Sequence, residues 1–240
     1  MARPFLEAEW KNLIMANYEV QTSVLEPYLP AHTSVDNYRG KTFVSLVGFL
    51  FANTKVLGAR IPFHVNFEEV NLRFYVTHDD AGLVKRGVVF IKEIVPKAAI
   101  TFVANTLYRE KYCTMPMSHS FKTDAQLSVN YNWKNKGLLN SISAIAEPFT
   151  VPMPEGSEEE FIAEHYYGYS RFNAQRTFEY RVTHPRWQTH PVKEYKINCD
   201  FEGLYGKSFA GLKNAVPSSV FLAQGSDITV SDKRELGLPG

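Results

Sequence analysis

The sequence predicts a mainly β protein of the α+β class, built as a closed, mostly antiparallel barrel with a few short helices. Apolar and polar residues alternate through 69–77 and 127–133, which is typical of half-buried strands. A nearly continuous apolar run at 84–95 indicates a strand that is buried on both faces. Helical patterns are confined to short segments. A barrel is therefore favoured over a doubly wound sheet, which needs a helix after each strand.

The first half of the chain contains four predicted strands and two predicted helices. Ser23 is a suitable N-cap for a short helix that Pro27 and Pro30 bring to an end. Pro96 suits the first turn of a second helix, where its missing N–H needs no partner, and this helix should reach about Tyr108. Its apolar residues predict an inward-facing stripe of Ala99, Phe102, Val103, Thr106 and Leu107. The predicted strands cover residues 10–20, 42–56, 69–77 and 84–95.

The second half continues the sheet. A turn at 134–137 joins the alternating strand before it to a strand at 138–146 as a hairpin. Ser157 is expected to cap a short helix whose first turn is acidic. Further strands are predicted at 179–182, 192–199, 220–222 and 227–230. The segment 153–157 is the best linker candidate, but each side alone has few strands, so residues 1–240 are predicted to form a single domain.

Composition excludes several classes of function. The 240 residues include 26 basic and 25 acidic side chains without a basic block, so a nucleic-acid partner is not expected. The most apolar stretch, 42–52, is too short to cross a membrane, and the N-terminus lacks a signal-peptide core. Two cysteines provide neither a metal-site spacing nor a disulfide framework. A cytoplasmic protein is the resulting expectation.

Lys97 is the first candidate for a catalytic residue. It follows the apolar strand 84–95 and Pro96, at the start of the predicted helix. A lysine that loses water becomes neutral more readily and can attack a carbonyl group. The alternative is a first-turn helix residue whose stem packs while its ammonium reaches solvent or a carboxylate.

Two further groups of residues suggest a binding site. Glu69 and Arg73 lie four residues apart on a predicted strand and therefore face the same side. Glu69 is a candidate proton shuttle and Arg73 a candidate anchor for an anion, although a structural ion pair is equally compatible with the pattern. Glu164, His165 and Tyr166 are candidate ligand-binding residues, with His165 able to act as acid or base, and a tyrosine-rich element across the barrel mouth is the alternative.

No cofactor is predicted. His184 and His190 flank a Pro-Arg-Trp turn and are interpreted as surface residues, because a metal site needs a third ligand. The chain contains neither a phosphate-binding glycine loop nor a dinucleotide fingerprint.

Five motifs in order resemble an uncharacterised bacterial family of unknown function, the YqjF-like family, over roughly residues 8 to 233. They are Leu25-Glu26-Pro27-Tyr28-Leu29-Pro30, Phe67-Glu68-Glu69-Val70-Asn71-Leu72-Arg73, Glu93-Ile94-Val95-Pro96, Phe161-Ile162-Ala163-Glu164-His165-Tyr166 and His184-Pro185-Arg186-Trp187. That family resembles the acetoacetate-decarboxylase-like superfamily. The resemblance implies a cone-shaped closed barrel around an internal cavity, and it implies that such barrels often form homo-oligomers.

The same resemblance implies roles for two residues. In the decarboxylases a lysine that follows a proline forms a Schiff base with a β-keto acid, and Lys97 occupies the matching position. The matching of residues 67–70 implies that Glu69 lies at the cavity. Two departures argue against acetoacetate decarboxylation. Ala98 stands where the decarboxylases have a second lysine, whose charge lowers the pKa of the nucleophile, and Tyr18 and Glu19 stand where they have a carboxylate-binding arginine.

Two functional hypotheses follow. The first is an enzyme, lyase-like in its chemistry, that acts on a small keto or enol compound through Lys97, with Glu69 moving protons and Arg73 positioning an anion. The second is a non-catalytic protein that binds a small organic molecule, whether keto, enol or aromatic, in the same cavity. The fold alone does not decide between them, because the same fold can carry different sites.

Overall fold

The structure of the chain is a computed structural model that describes residues 4–237. Its strands are β1 (Leu6–Val20), β2 (Ser34–Val35), β3 (Thr42–Val56), β4 (Phe67–Asp80), β5 (Leu83–Val95), β6 (Tyr112–Thr114), β7 (Met117–Thr123), β8 (Leu127–Asn135), β9 (Leu138–Ala146), β10 (Val151–Pro152), β11 (Tyr167–Arg171), β12 (Thr177–Thr183), β13 (Gln188–His190), β14 (Val192–Asn198), β15 (Ser219–Val230) and β16 (Arg234–Leu236). The prediction of a mainly β chain is confirmed.

Helices are few and short. They are α1 (Thr22–Leu25), α2 (Ala98–Leu107), α3 (Glu158–Ala163) and α4 (Phe201–Tyr205), with 3₁₀ segments at Glu26–Tyr28 and Lys207–Lys213. Ser157 caps α3 as predicted, because its hydroxyl accepts a hydrogen bond of 3.1 Å from the backbone N–H of Glu160. Helix α1 begins one residue before the predicted cap Ser23, and its N-cap is Gln21. Within residues 4–237, every helix lacks the combination of length and apolarity that a membrane crossing would need.

The strands form two sheets. In the larger sheet, β15, β1, β3, β4, β5, β11 and β12 follow one another, and β12 also pairs with β15 through Val182–Val230 and Thr183–Thr229. These pairings are antiparallel except for β5 with β11, and the small strand β6 also joins β5 in parallel. The smaller sheet has the order β14, β9, β8, β7. Hairpin β8–β9 occupies the region predicted for it.

The residues of strand β4 alternate between the hydrophobic core and a cavity. Val70, Leu72 and Phe74 are buried in the hydrophobic core that the larger sheet shares with the smaller one. The alternating residues Glu69, Asn71 and Arg73 point to the other face and line a cavity. The period of two in the sequence therefore separates the residues that hold the fold together from the residues that are available for chemistry.

Helix α2 differs from its prediction. All of its residues are half-buried or exposed, and Phe102 is 71% exposed. The predicted inward stripe is therefore right for Ala99 and Val103, which line the cavity, and wrong for Phe102, Thr106 and Leu107, which do not. Ile100 and Ala104 complete the cavity-facing side of the helix. The physical reason is that α2 covers a cavity, whereas the predicted stripe assumed a packed core.

Candidate active site

A cavity of about 250 Å³ lies on the inner side of strands β3, β4 and β5 and beneath helix α2. Most of its wall is apolar, with Phe49, Phe51 and Phe67 forming one aromatic part. A few polar side chains converge on this apolar surface, which is the usual composition of a small-molecule site. The polar residues of the wall include Glu69, Asn71, Arg73, Glu93, Glu110, Tyr112, His165, Tyr180 and His184.

Glu69 has the environment of an acid–base group. It is 2% exposed, and its two carboxyl oxygens accept hydrogen bonds from Asn71 Nδ2 at 2.8 Å and from the Tyr112 hydroxyl at 2.9 Å. Burial raises the pKa of Glu69 to about 7, against the lowering effect of these hydrogen bonds and of the Arg73 charge. At neutral pH both protonation states of Glu69 are therefore populated, as general acid–base catalysis requires.

Arg73 is a buried guanidinium whose charge is weakly matched. It is 7% exposed, and its Nη2 contacts the Met15 sulfur at 3.7 Å. Its Nε has no hydrogen-bond partner among residues 4–237, and the described chain places no carboxylate within ion-pair distance of it. Since arginine keeps its charge when buried, a bound anion is the natural partner for this side chain.

Two carboxyl groups that were not among the predicted site residues also belong to the wall. Glu93 on β5 is 2% exposed, and its Oε2 lacks a hydrogen-bond partner in the described part of the chain. Burial, with the charges of Glu110 and Glu69, raises its pKa well above the ordinary value. The available signal was the charged pair Lys92 and Glu93, which interrupts the apolar part of the strand. The two residues face opposite sides, since the Lys92 ammonium donates to the Leu204 carbonyl outside the cavity.

Glu110 is held by a hydrogen bond from Tyr180, which lies 70 residues away in the sequence. Its Oε1 accepts a hydrogen bond of 2.7 Å from the Tyr180 hydroxyl, and burial raises the pKa of Glu110 to about 8. Gly168 makes this contact possible, because a Cβ at that position would lie 2.1 Å from the Tyr180 ring. Glycine at this point of β11 therefore lets the tyrosine lie flat against the strand and reach the carboxyl.

His165 is the third predicted residue that lines the cavity. It is buried, and its Nε2 lies 3.1 Å from Asp36 Oδ2. Arg86 Nε donates to the same oxygen at 2.8 Å. Burial lowers the pKa of His165 to about 4, so the imidazole is neutral at neutral pH. The sequence contains no signal for this arrangement, because Asp36 lies 129 residues away from His165.

The other predicted site residues lie outside the wall. Lys97 is the half-buried N-cap of α2 and does not belong to the set of described residues that line the cavity. Glu164 and Tyr166 also lie outside that set, and the Tyr166 hydroxyl donates to Glu164 Oε2 at 2.5 Å. Between the end of α3 and the first residue of β11, His165 and Tyr167 line the cavity, whereas Glu164 and Tyr166 do not. The nucleophile role of Lys97 and the ligand-binding roles of Glu164 and Tyr166 stay predictions.

The interpretation of His184 as a surface residue is wrong. His184 is 8% exposed and lines the cavity. Its ring stacks on Trp187 with centroids 4.1 Å apart and lies 4.7 Å from the Tyr166 ring. The Pro-Arg-Trp turn folds inward because Trp187 buries its indole in the hydrophobic core, and the histidine packs against it.

Comparisons with known proteins agree on family and fold. The family DUF2071, described as an uncharacterized conserved protein, matches residues 7–227. The uncharacterized protein YqjF of Bacillus subtilis (strain 168) is 26% identical over 195 residues, which cover 79% of this chain and 77% of that protein.

Two solved structures share the fold at low sequence identity. An acetoacetate decarboxylase-like enzyme from Sphingomonas wittichii RW1 superposes with a TM-score of 0.67 at 11% identity, covering 100% of this chain and 95% of that chain. The enduracididine biosynthesis enzyme MppR complexed with pyruvate superposes with a TM-score of 0.65 at 11% identity, covering 98% of this chain and 92% of that chain. The chain therefore has an acetoacetate-decarboxylase-like fold, as the sequence resemblance implied.

Proposed function

This chain belongs to the DUF2071 family of uncharacterized conserved proteins, and we propose that it is an enzyme acting on a small keto or enol compound inside its cavity. The observation that carries the proposal is a buried carboxyl group with a pKa near neutrality, Glu69, on the same strand face as a buried arginine without a carboxylate partner in residues 4–237. Arg73 binds an anionic group of the substrate, and Glu69 moves a proton at the carbon next to the carbonyl.

The size and the wall of the cavity support this choice of substrate. About 250 Å³ accommodates a compound with a small ring or a short chain, and the aromatic part of the wall suits an apolar substituent. MppR, which shares the fold, was solved with pyruvate, a small keto acid. For this chain we therefore propose only that the substrate is a small carbonyl compound.

The barrel itself is part of the proposal. Strand β12 pairs with β11 on one side and with β15 on the other, which supports a sheet that closes around the cavity. We propose that residues 1–240 form one domain of this kind. A cytoplasmic location and a homo-oligomer stay predictions.

Proton exchange tests the proposed reaction. A panel of small 2-oxo and 3-oxo acids is incubated with the protein in D₂O, and NMR follows the loss of the protons next to the carbonyl. We expect Glu69→Gln to slow the exchange about a hundredfold, the size typical of losing a general acid–base group. Glu68→Gln is the matched control, because Glu68 faces the opposite side and its Oε1 lies 2.7 Å from His119. Equal exchange by Glu69→Gln and the wild type would contradict the role of Glu69.

A non-catalytic binding protein is the second candidate, and the largely apolar wall favours it. The two candidates differ in one observable. A binding protein would bind small carboxylates, with Arg73 required, and would catalyse no exchange with any member of the panel.

Covalent chemistry at Lys97 is tested separately by borohydride trapping. The protein is treated with small aldehydes, ketones and keto acids, reduced with borohydride and weighed intact, alongside Lys97→Ala. Because Lys97 is absent from the described cavity wall, we expect no mass gain that depends on this residue. A ligand-dependent gain that disappears in Lys97→Ala would instead establish the Schiff-base version of the proposal.

A further inference from the structure

We propose that His165 is a second acid–base group of the cavity, positioned by Asp36, and that the substrate is a small carboxylate with an enol hydroxyl next to its carboxyl group. This inference rests on the proposed function, because it assigns the substrate class and the direction of proton transfer at the same site.

The imidazole of His165 is held in one orientation. Its side chain is 1% exposed. The ring lies 4.7 Å from the Tyr75 ring and meets the Phe161 ring edge-on at 5.2 Å. These aromatic contacts fix the plane of the imidazole, so that hydrogen bonds decide only which nitrogen carries the proton.

Asp36 determines which nitrogen of His165 carries the proton. Its Oδ1 accepts a hydrogen bond of 2.9 Å from the Asn37 backbone N–H, while Oδ2 receives Arg86 Nε and faces His165 Nε2. Burial alone would raise the pKa of Asp36, but the hydrogen bonds with His165 and Arg86 lower it, so Asp36 is ionised. An ionised carboxylate only accepts hydrogen bonds. His165 Nε2 therefore carries the proton, and Nδ1 presents a lone pair.

That lone pair requires a donor. Nδ1 of His165 is buried and has no hydrogen-bond partner in the described range 4–237, although the ring lines the cavity. A buried acceptor without a partner is destabilising, because it has lost its hydrogen bond to water. A hydroxyl group of the ligand would satisfy it, whereas a ketone or a carboxylate oxygen would not, because these oxygens are acceptors.

Arg73 lies near His165 and is the proposed partner of the ligand carboxylate. Its guanidinium carbon lies 5.7 Å from the centroid of the Tyr75 ring, the same ring that packs on His165. Its charge acts on both His165 and Glu69, lowering the pKa of each. A ligand carboxylate on Arg73 would therefore be close to both acid–base groups, and we propose that a hydroxyl on the neighbouring carbon reaches Nδ1.

The protonation states at rest fit ketonisation, which needs a base at the enol oxygen and an acid at the neighbouring carbon. His165 is neutral, and Glu69 is partly protonated at neutral pH. In the step, the enol O–H bond breaks as its proton moves to His165 Nδ1, and the oxygen becomes a carbonyl. The electrons of the C=C bond take the proton of Glu69 to form a C–H bond. The product is the keto acid, and solvent returns the protons when His165 releases one and Glu69 takes one up.

Ketonisation of the enol form of phenylpyruvate tests this step, because the absorbance of the enol decays as the keto form appears. We expect the wild type to accelerate the decay and His165→Phe, which keeps an aromatic ring between Tyr75 and Phe161, to lose about a hundredfold of that rate. His119→Phe is the matched control, since His119 is exposed on the smaller sheet. An unchanged rate in His165→Phe would overturn the inference.

A second measurement uses the wild-type protein and does not depend on the folding of a variant. Lactate and propionate differ by one hydroxyl next to the carboxylate, and we expect lactate to bind about tenfold more tightly, the effect of one added hydrogen bond. Nitrogen-15 NMR of the histidines should report His165 protonated at Nε2, and Asp36→Asn should change that signal while Asp79→Asn leaves it unchanged. Protonation at Nδ1 would overturn the inference.

The outcomes separate this inference from the proposed function. Equal binding of lactate and propionate, lost in Arg73→Met, would keep the anion site and remove the role of His165. Failure of both carboxylates to bind would remove the proposed function together with this inference.

Discussion

Replacement of Arg73 by methionine is expected to abolish the binding of small carboxylates and, at the same time, to make the protein more stable. Arg73 is buried, and its Nε is unpartnered within the described residues. Burying this charge carries a desolvation penalty that no ion pair within residues 4–237 offsets, although the Tyr75 ring and the charge interaction with Glu69 offset part of it. Replacing buried charged groups with well-packed hydrophobic ones often stabilises by about 1 to 4 kcal/mol. Methionine is unbranched and apolar and would pack beside Met15, which Arg73 already contacts.

The same change removes the cation that the ligand needs. Loss of one partner of a buried charge pair typically weakens binding by about 2 to 5 kcal/mol, so we expect roughly thirtyfold to a few thousandfold lower affinity for lactate or pyruvate. Urea unfolding and calorimetric titration measure the two effects on one sample. Arg171→Met is the control, because Arg171 is exposed and donates to the Pro27 and Leu29 carbonyl groups away from the cavity. Unchanged carboxylate affinity in Arg73→Met would show that the anion site lies elsewhere.

The second large effect is a loss of stability as the pH rises from 7 to 8.5. Burial raises the pKa of Glu110 to about 8 and that of Glu93 well above the ordinary value. In this window the folded chain holds protons that the unfolded chain has already released. The stability is therefore fully present below the unfolded pKa of 4.5 and is lost as the pH rises through the folded pKa. Glu110 alone releases most of one proton across this window, which lowers the free energy of unfolding by roughly 1 kcal/mol, and Glu93 acts in the same direction.

The buried histidines make the choice of pH range important for this measurement. Burial lowers the pKa of His165 to about 4, and that of His184 also lies below its ordinary value. These groups act in the opposite direction and oppose the carboxyls between about pH 4 and 6.5. Above pH 7 the carboxyls dominate. Urea unfolding of the wild type and of Glu110→Gln at several pH values should show a shallower decline in the variant, whereas Glu68→Gln keeps the full slope. A flat profile for the wild type would mean that the carboxyls titrate normally.

The site residues that the sequence predicted correctly are those whose positions follow from the alternation of side chains along a strand. Glu69 and Arg73 share one face of β4, as their spacing required, since a strand repeats every two residues. The mainly β character and the cap at Ser157 followed from equally local patterns. His165 was selected as one of three neighbouring candidates, and it lines the cavity whereas Glu164 and Tyr166 do not.

The remainder of the site depends on contacts between distant segments. Asp36 meets His165 across 129 residues, and Tyr180 meets Glu110 across 70. No spacing rule connects such pairs in a single sequence. Lys97 illustrates a second limit. The sequence located it at the junction of a strand and a helix, but the side chain's direction depends on how α2 seats on the cavity, and that is decided by tertiary packing.

The two faces of β4 have a consequence for how the chain tolerates variation. Because one face is committed to the core and the other to the cavity, the stretch from Glu69 to Phe74 offers no position where a change is silent. Substitutions at Val70, Leu72 and Phe74 should reduce the amount of folded protein, whereas conservative substitutions at Glu69, Asn71 and Arg73 should leave a folded protein with an altered cavity wall. Selection for stable folding would therefore act on one set of alternate residues in β4, and selection for the function of the cavity would act on the other set.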